Sequence, residues 1–353
     1  MKKVNNISIT IIDYLKIRFE ADKSTLQKIQ TVRTNNHIQV NENILITFNT
    51  GTNNSDYKHN DSIYYDSEYI GTIHHVNQKN RADNTVTIQF ANKLFYSGDW
   101  YMFYQLLTTE LNLNKINIAR LDIAKDIANS NLLEQLQRIT NSKRIKTKLV
   151  TSLRTYTPQY VNNKLDYVKI GKATNNRYIK IYNKSNRLEQ EKKDYIRVFW
   201  AVNGIYSKNV ERFELTLQKD ATKQIEVDKL VNPDYLETIL KTETEKRFRI
   251  IQEQRRGKRI ITKDVTPIPF NLNKTVNYRP FKAENKQTDL IALRTIKTML
   301  KTHYLMFLGT DDKQSKQIHK QAIDVLIKDY SLKQYFANHC QYWQTEQNKL
   351  RAN

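Results

Sequence analysis

The chain carries one cysteine, Cys340, in 353 residues. That excludes an intramolecular disulfide and any zinc site built on several thiolates, and the expected compartment is the reducing cytoplasm. No stretch approaches the roughly 20 apolar residues of a membrane span. The opening M-K-K-V-N-N-I-S-I-T-I-I-D has two lysines but only a short, polar-interrupted apolar stretch, without the apolar core and small-residue cleavage site of a leader. No membrane is therefore expected as a partner. Two catalytic signatures are missing as well. No G-x-x-x-x-G-K-[ST] phosphate loop occurs, which argues against a built-in helicase. His74 and His75 are adjacent, not separated by one apolar residue as a His-apolar-His metal motif requires. Cys340 and His339 fall on an expected terminal helix, where packing or surface roles suffice.

What is abundant is positive charge. Lys plus Arg number 58 against 36 Asp plus Glu, a formal net charge of +22, with a sequence pI near 9.7. Such a surplus calls for a polyanionic partner, and phosphate neutralisation with counterion release makes nucleic acid the leading one. The basic residues are scattered among Tyr, Asn and Gln rather than gathered on one amphipathic helix, which disfavours an anionic membrane. Candidate phosphate contacts are Arg144, Lys146, Lys148, Lys172, Arg177, Arg255 and Arg256, with Arg120 and Arg212 beside acidic groups. Each could equally be a solvating charge.

The periodicity predicts an α+β fold, an antiparallel sheet or sheets with packed helices, followed by a small all-helical C-terminal domain. β-Branched and aromatic residues give one or two strands over Ile7–Glu20, broken near Asp13. Further strands are expected over His37–Phe48, Ser62–His75 and Asn84–Phe95, separated by turn-rich clusters. This reads as an antiparallel meander. A helix over Trp100–Asn112 leads into the strand Asn117–Asp126, and Asn129 or Ser130 can cap a short helix to about Ile139. Lys143–Thr157 is strand-like, and two strands flank a turn at Gly171–Asn176 within Tyr167–Lys184. Beyond these come a basic helix Ser185–Ala201, a strand Val210–Gln218 and a helix from Pro233 to about Arg256. Lys258–Lys286 reads as a linker that could wrap a surface. Helices are expected over Thr288–Phe307, Asp311–Asp329 and Leu332–Lys349. The domain boundaries are thus 1–256, 257–286 as linker, and 287–353.

Three strands carry a polar face opposite an apolar one. In N-I-A-R-L-D-I-A-K-D, alternation puts Ala119, Leu121 and Ile123 on one face and Arg120, Asp122 and Asp126 on the other. Tyr178, Lys180, Tyr182 and Lys184 share a face of the second strand, and Arg212, Glu214 and Thr216 a face of the third. If the strands are neighbours, Asp122 and Glu214 can share one divalent cation with Tyr182 beside it. Asp126 ranks lower, because four extended residues span about 13 Å. A solvated face with an Arg120/Asp122 surface pair remains open.

In this order and spacing, A-R-L-D-I-A-K-D, Y-V-K-I-G-K-A-T-N-N-R-Y-I-K-I-Y-N-K and R-F-E-L-T resemble the Rep_trans replication initiation factors, over roughly Ile7–Gln218. Two motifs differ. The family's G-S-R-x-S is here Gly171-Lys172-Ala173-Thr174-Asn175, and Lys180 stands where R-x-Y-x-K has arginine, keeping charge but losing bidentate phosphate geometry. The resemblance implies site-specific DNA nicking that depends on Mg²⁺ or Mn²⁺. Tyr182 would be the nucleophile, Lys180 and Lys184 would favour its phenolate, and a 5′-phosphotyrosyl link would form. Tyr178 and Tyr195 are the alternative nucleophiles. The partners implied are an origin hairpin or single strand, a host helicase and polymerase, and a second copy as a candidate homodimer. The rival reading is a non-catalytic, sequence-specific DNA-binding protein of a mobile element.

Overall fold

A computed structural model of the chain describes residues 7–31, 35–47, 57–77, 84–141, 147–153, 155–191, 193–245, 247–256, 259–264, 268–270, 276–278, 280, 286–329 and 332–352. Its elements follow in chain order. They begin with β1 (Ser8–Ala21), α1 (Lys23–Gln30), β2 (His37–Gln39), β3 (Ile44–Thr47), β4 (Tyr57–Tyr65), β5 (Glu68–Asn77) and β6 (Thr85–Phe90). Next are α2 (Lys93–Ser97), α3 (Trp100–Glu110), β7 (Leu113–Ala128), α4 (Leu132–Asn141), β8 (Thr147–Val150), β9 (Tyr156–Val161) and β10 (Lys164–Ile170). Then come β11 (Arg177–Asn183), α5 (Lys184–Glu191), α6 (Asp194–Val202), β12 (Val210–Gln218), α7 (Pro233–Glu245), β13 (Arg249–Arg256) and β14 (Arg259–Asp264). Three helices close the chain: α8 (Lys286–Gly309), α9 (Lys313–Asp329) and α10 (Lys333–Ala352).

An eleven-stranded sheet runs β2-β3-β4-β5-β6-β1-β7-β12-β11-β10-β9, and β14-β13-β8 form a second sheet. The pairings β1/β7, β7/β12, β11/β12 and β10/β11 are antiparallel, so the chain is α+β as expected. β7 lies at the centre because one of its faces is almost wholly apolar. Leu121 and Ile123 align with Leu217 and Leu215 of β12, which align with Arg177 and Ile179 of β11. Leu121, Ile123, Ile179, Leu215 and Leu217 are fully buried, each contributing about 1.5–3 kcal/mol of apolar transfer. α7 packs on this face, adding Leu236, Ile239 and Leu240 to the same core. Two charges pierce it. Lys125 of β7 reaches Glu237 of α7 at 2.7 Å, and Arg177 reaches Glu243 at 2.7 Å.

Several boundaries differ from the sequence reading. Ser62–His75 is not one strand but parts of β4 and β5, turned at Asp66 and Ser67, both at positive φ. A primed hairpin turn of this kind usually shows a glycine, and here none marks it. With seven glycines in the chain, asparagine takes left-handed positions at Asn112, Asn129, Asn162 and Asn163. The basic helix beyond Lys184 is two helices, α5 and α6. The helix begun at Pro233 stops at Glu245, and Arg249–Asp264 form the hairpin β13/β14. Part of the stretch read as linker is therefore strand, and its Ile268 and Tyr278 belong to the main core.

The chain divides into two compact units, Met1–Phe281 and Lys282–Asn353. The second holds α8, α9 and α10 around Leu300, Ile323, Leu326 and Leu332. Among the described residues no helix is long and apolar enough to cross a membrane.

Candidate active site on the polar face of the sheet

The face of β7 opposite α7 is assembled by a single extra residue in β1. Ile12 pairs with Ile123 and Tyr14 with Asp122, so Asp13 is a bulge between them. Before it, Thr10 and Ile12 share the side of Lys125 and Ile123. After it, Tyr14 and Lys16 share the side of Asp122 and Arg120. The sequence reading expected only a break here.

Asp126 and Arg212 face each other across β7 and β12 and are wholly buried. Arg212 grips Asp126 with two donors, Nε to Oδ1 at 2.6 Å and Nη2 to Oδ2 at 2.7 Å. Its Nη1 donates to Asp13 Oδ1 at 2.6 Å and its Nη2 to the Tyr96 hydroxyl at 2.9 Å. Trp200 Nε1 of α6 closes the group on Asp126 Oδ2 at 2.7 Å. Burial alone would raise the Asp13 carboxyl, but Arg212, Lys184 and hydrogen bonds from Tyr96 and Asn92 hold it well below the usual carboxylate range. This arrangement bears on two expectations. Asp126 has both oxygens hydrogen-bonded inside a buried group, and Arg212 is wholly buried between Asp126 and Asp13.

The other half of the face is more open. Tyr182 of β11 donates its hydroxyl to Glu214 Oε2 of β12 at 3.1 Å, and Lys180 donates to Glu214 Oε1. Asp122 accepts both Nε and Nη2 of Arg120, at 2.9 and 2.6 Å, and the Arg120 guanidinium lies 4.5 Å from the centroid of Tyr14. Glu214 is raised to about 7, first by burial and then by the neighbouring Asp13 and Asp122 carboxylates, against the pull of Lys180. Burial also pushes the Tyr182 hydroxyl well above its ordinary value, and Glu214 adds to the rise. Of the two lysines expected beside the tyrosine, Lys180 pairs with Glu214, and Lys184 begins α5, buried and paired with Glu191 at 3.3 Å, with its ammonium 5.9 Å from the Tyr182 ring centroid.

Sequence reasoning missed Arg187. On α5 it reaches back over the nucleophile candidate, its guanidinium 4.3 Å from the Tyr182 ring centroid and 5.0 Å from that of Tyr167. Tyr167 and Tyr182 are directly paired across β10 and β11. Tyr178 lies on the same face under Lys169 and Lys180, and Tyr195 donates to Asn92 at 2.7 Å. Gly171, at φ +93°, turns β10 toward β11, and an added Cβ would meet Tyr178 Cβ at 3.1 Å. Gln218 and Lys219 hold the carbonyls of Ala173, Asn175 and Thr174 in that turn.

Among the described residues, the candidate DNA contacts fall on different elements. Lys172 is exposed in the Gly171 turn. Arg177 points to the α7 face and is held by Glu243. Arg144 and Lys146 lie outside the described residues. Lys148, Arg255 and Arg256 fall on the second sheet, where Lys148 pairs with Ile251 and Arg255 and Arg256 pair with Ile260 and Arg259.

A divalent metal fits Asp122 and Glu214 in charge. The rise at Glu214 comes first from burial, and the Asp13 and Asp122 carboxylates add to it against Lys180. Among the described residues no three His, Cys, Asp or Glu side chains are grouped to hold an ion. Mg²⁺, however, takes only one or two carboxylates when phosphate oxygens and water complete its shell.

The class defined so far is an antiparallel-sheet protein with a tyrosine, a buried glutamate and paired cations on one polar face. No family model matches the chain, and no curated protein matches it. Among solved structures it is similar to a rolling circle replication initiator protein from Geobacillus stearothermophilus, at TM-score 0.42 and 12% identity, covering 71% of this chain and 89% of that one. A likeness of that degree says nothing about this chain's chemistry.

Proposed function

We propose that the chain is a replication initiator of a small mobile element that nicks DNA through Tyr182. The observation that carries this reading is the hydrogen bond from the Tyr182 hydroxyl to Glu214, a buried carboxylate raised to about 7. A phenol pushed above its ordinary value does not ionise unaided near neutrality, and a carboxylate poised there can take its proton as the new bond forms. Tyr182 Oη attacks the phosphorus, the bond from phosphorus to the 3′-oxygen breaks, and that oxygen takes a proton from water. A 5′-phosphotyrosyl link and a free 3′-hydroxyl remain, the latter for a host polymerase after a helicase opens the duplex. Asp122 and Glu214 would hold a divalent ion, Mg²⁺ or Mn²⁺, which when bound stabilises charge on the phosphate oxygens. The sequence resemblance supports the reading, because A-R-L-D-I-A-K-D, R-F-E-L-T and the tyrosine segment are adjacent strands.

One observation favours the rival reading. Tyr182 is 4% exposed, as suits a packing role in a DNA-binding protein without catalysis. The two separate on supercoiled plasmid carrying the gene's own flanking DNA, incubated with Mg²⁺ or Mn²⁺. Nicked circles and a covalent adduct mapping to Tyr182, absent from Tyr182→Phe, are expected. No adduct from the wild-type chain would overturn the nickase reading, and an adduct at Tyr178 or Tyr195 would move the nucleophile.

A further inference from the structure

We propose that Arg187 binds the phosphodiester that Tyr182 attacks. The inference rests on the nickase reading and assigns a residue outside every motif that led to it.

The charges around the tyrosine divide sharply. Arg120 is taken by Asp122, Lys180 by Glu214, Lys184 by Glu191, and Arg212 by Asp126 and Asp13. Arg187 pairs with no carboxylate among the described residues and lies instead over the rings of Tyr182 and Tyr167. It is half-buried, so its position carries a desolvation cost that ring contact offsets only in part. An anion supplied from outside would complete the site. A phosphodiester is the anion this face is proposed to meet, and Tyr182 Oη lies on the ring that Arg187 covers.

The residue type matters. Over an aromatic face, a guanidinium keeps donors at its edge, arranged as a fork that matches two non-bridging phosphate oxygens. A lysine ammonium could retain the charge but not both the ring contact and the fork. Arg187 would therefore hold the phosphate beside Tyr182 Oη and donate to the oxygens on which charge grows in the transition state. Lys169 is likewise in no ion pair among the described residues, but it lies over Tyr178, at 5.2 Å.

The test compares full-length wild type, Arg187→Lys, Arg187→Ala and Lys169→Gln on plasmid carrying the gene's flanking DNA, with single-turnover adduct formation and DNA affinity measured separately. Loss of a donor made strongest in the transition state lowers the rate by about 100-fold or more, and this is expected for both Arg187 variants at nearly unchanged affinity. Lys169→Gln should stay close to wild type. Added methylguanidinium should restore part of the rate to Arg187→Ala, which a purely packing role would not allow. If Arg187→Ala fails to fold, Arg187→Lys decides. Wild-type adduct rates in Arg187→Lys would overturn the proposal alone. Absence of adduct from the wild-type chain would overturn it together with the nickase reading.

Discussion

Asp122 and Asp126 stand four residues apart on the same face of one strand, yet their surroundings give them opposite tasks. Asp126 meets a fully buried arginine, a tryptophan N–H and, through Arg212, a second carboxylate. Asp122 meets Arg120, whose side chain is 31% exposed, and lies within the field of Glu214. A buried carboxylate with every lone pair claimed fixes structure. One whose partner reaches solvent can exchange that partner for a ligand. Strand position alone does not separate the two, because the partners come from β1, β12 and α6.

The largest effect should come from breaking the closed half. Arg212→Met leaves Asp126 and Asp13 buried without their cation, and removing one partner of such a group costs about 3–5 kcal/mol. Urea unfolding should show that loss, and a change below about 1 kcal/mol would erase the distinction between the two aspartates. Next in size, Asp122→Asn and Glu214→Gln should lower adduct formation by about 100-fold or more while unfolding at or above the wild-type midpoint. Collapse of both variants to the Arg212→Met midpoint would show that the open half is structural too.

A pH series sharpens the contrast further. Glu214 is raised from its ordinary 4.5 to about 7 in the folded chain, so the folded state holds this proton more tightly than the unfolded one. Its contribution is complete below the ordinary value and is lost as pH rises through about 7. Wild type and Glu214→Gln should therefore be closest in stability near pH 4, with the variant's advantage growing between about pH 4.5 and pH 7 and constant above that. Parallel curves would remove Glu214 as the titrating group. The smallest effect concerns the surface. Lys172→Gln should reduce the salt dependence of DNA binding by about one phosphate, whereas Arg177→Gln should leave that slope unchanged and lower stability instead.

The half of this site that alternation could reach was legible. Period-two faces put Asp122, Tyr182 and Glu214 on polar sides without knowledge of strand order, and antiparallel neighbours then aligned them. Asp126 and Arg212 carried the same signal, but their mutual saturation depends on register and on Trp200 from a helix some seventy positions away. Arg187 was hidden differently. It follows the strand on a new helix, where a two-residue period assigns no face. The sequence reading puts β13 at the end of a helix and β14 in a linker because Arg249–Arg256 is rich in Arg, Gln and Glu, which suit helices, and β-strand preference depends heavily on context. In hindsight, the paired Ile250-Ile251 and Ile260-Ile261 on either side of Gly257 are the hairpin signal in that stretch.

The bulge at Asp13 has a genetic consequence. Five residues, Lys16 through Glu20, are threaded between β6 and β7, and the phase of Tyr14 to Lys16 against β7 is set by one inserted amino acid. Removing that single codon would send Tyr14 and Lys16 into the oily side and Leu15 into water, while taking away the carboxylate that Arg212 holds. Replacing the residue, as in Asp13→Asn, keeps the phase and costs one charge. A library of one-codon deletions along β1 should therefore be far less tolerated at this point than point changes there, and an alignment that closes the gap would mispair Tyr14 through Lys16 with β7, up to the next register shift.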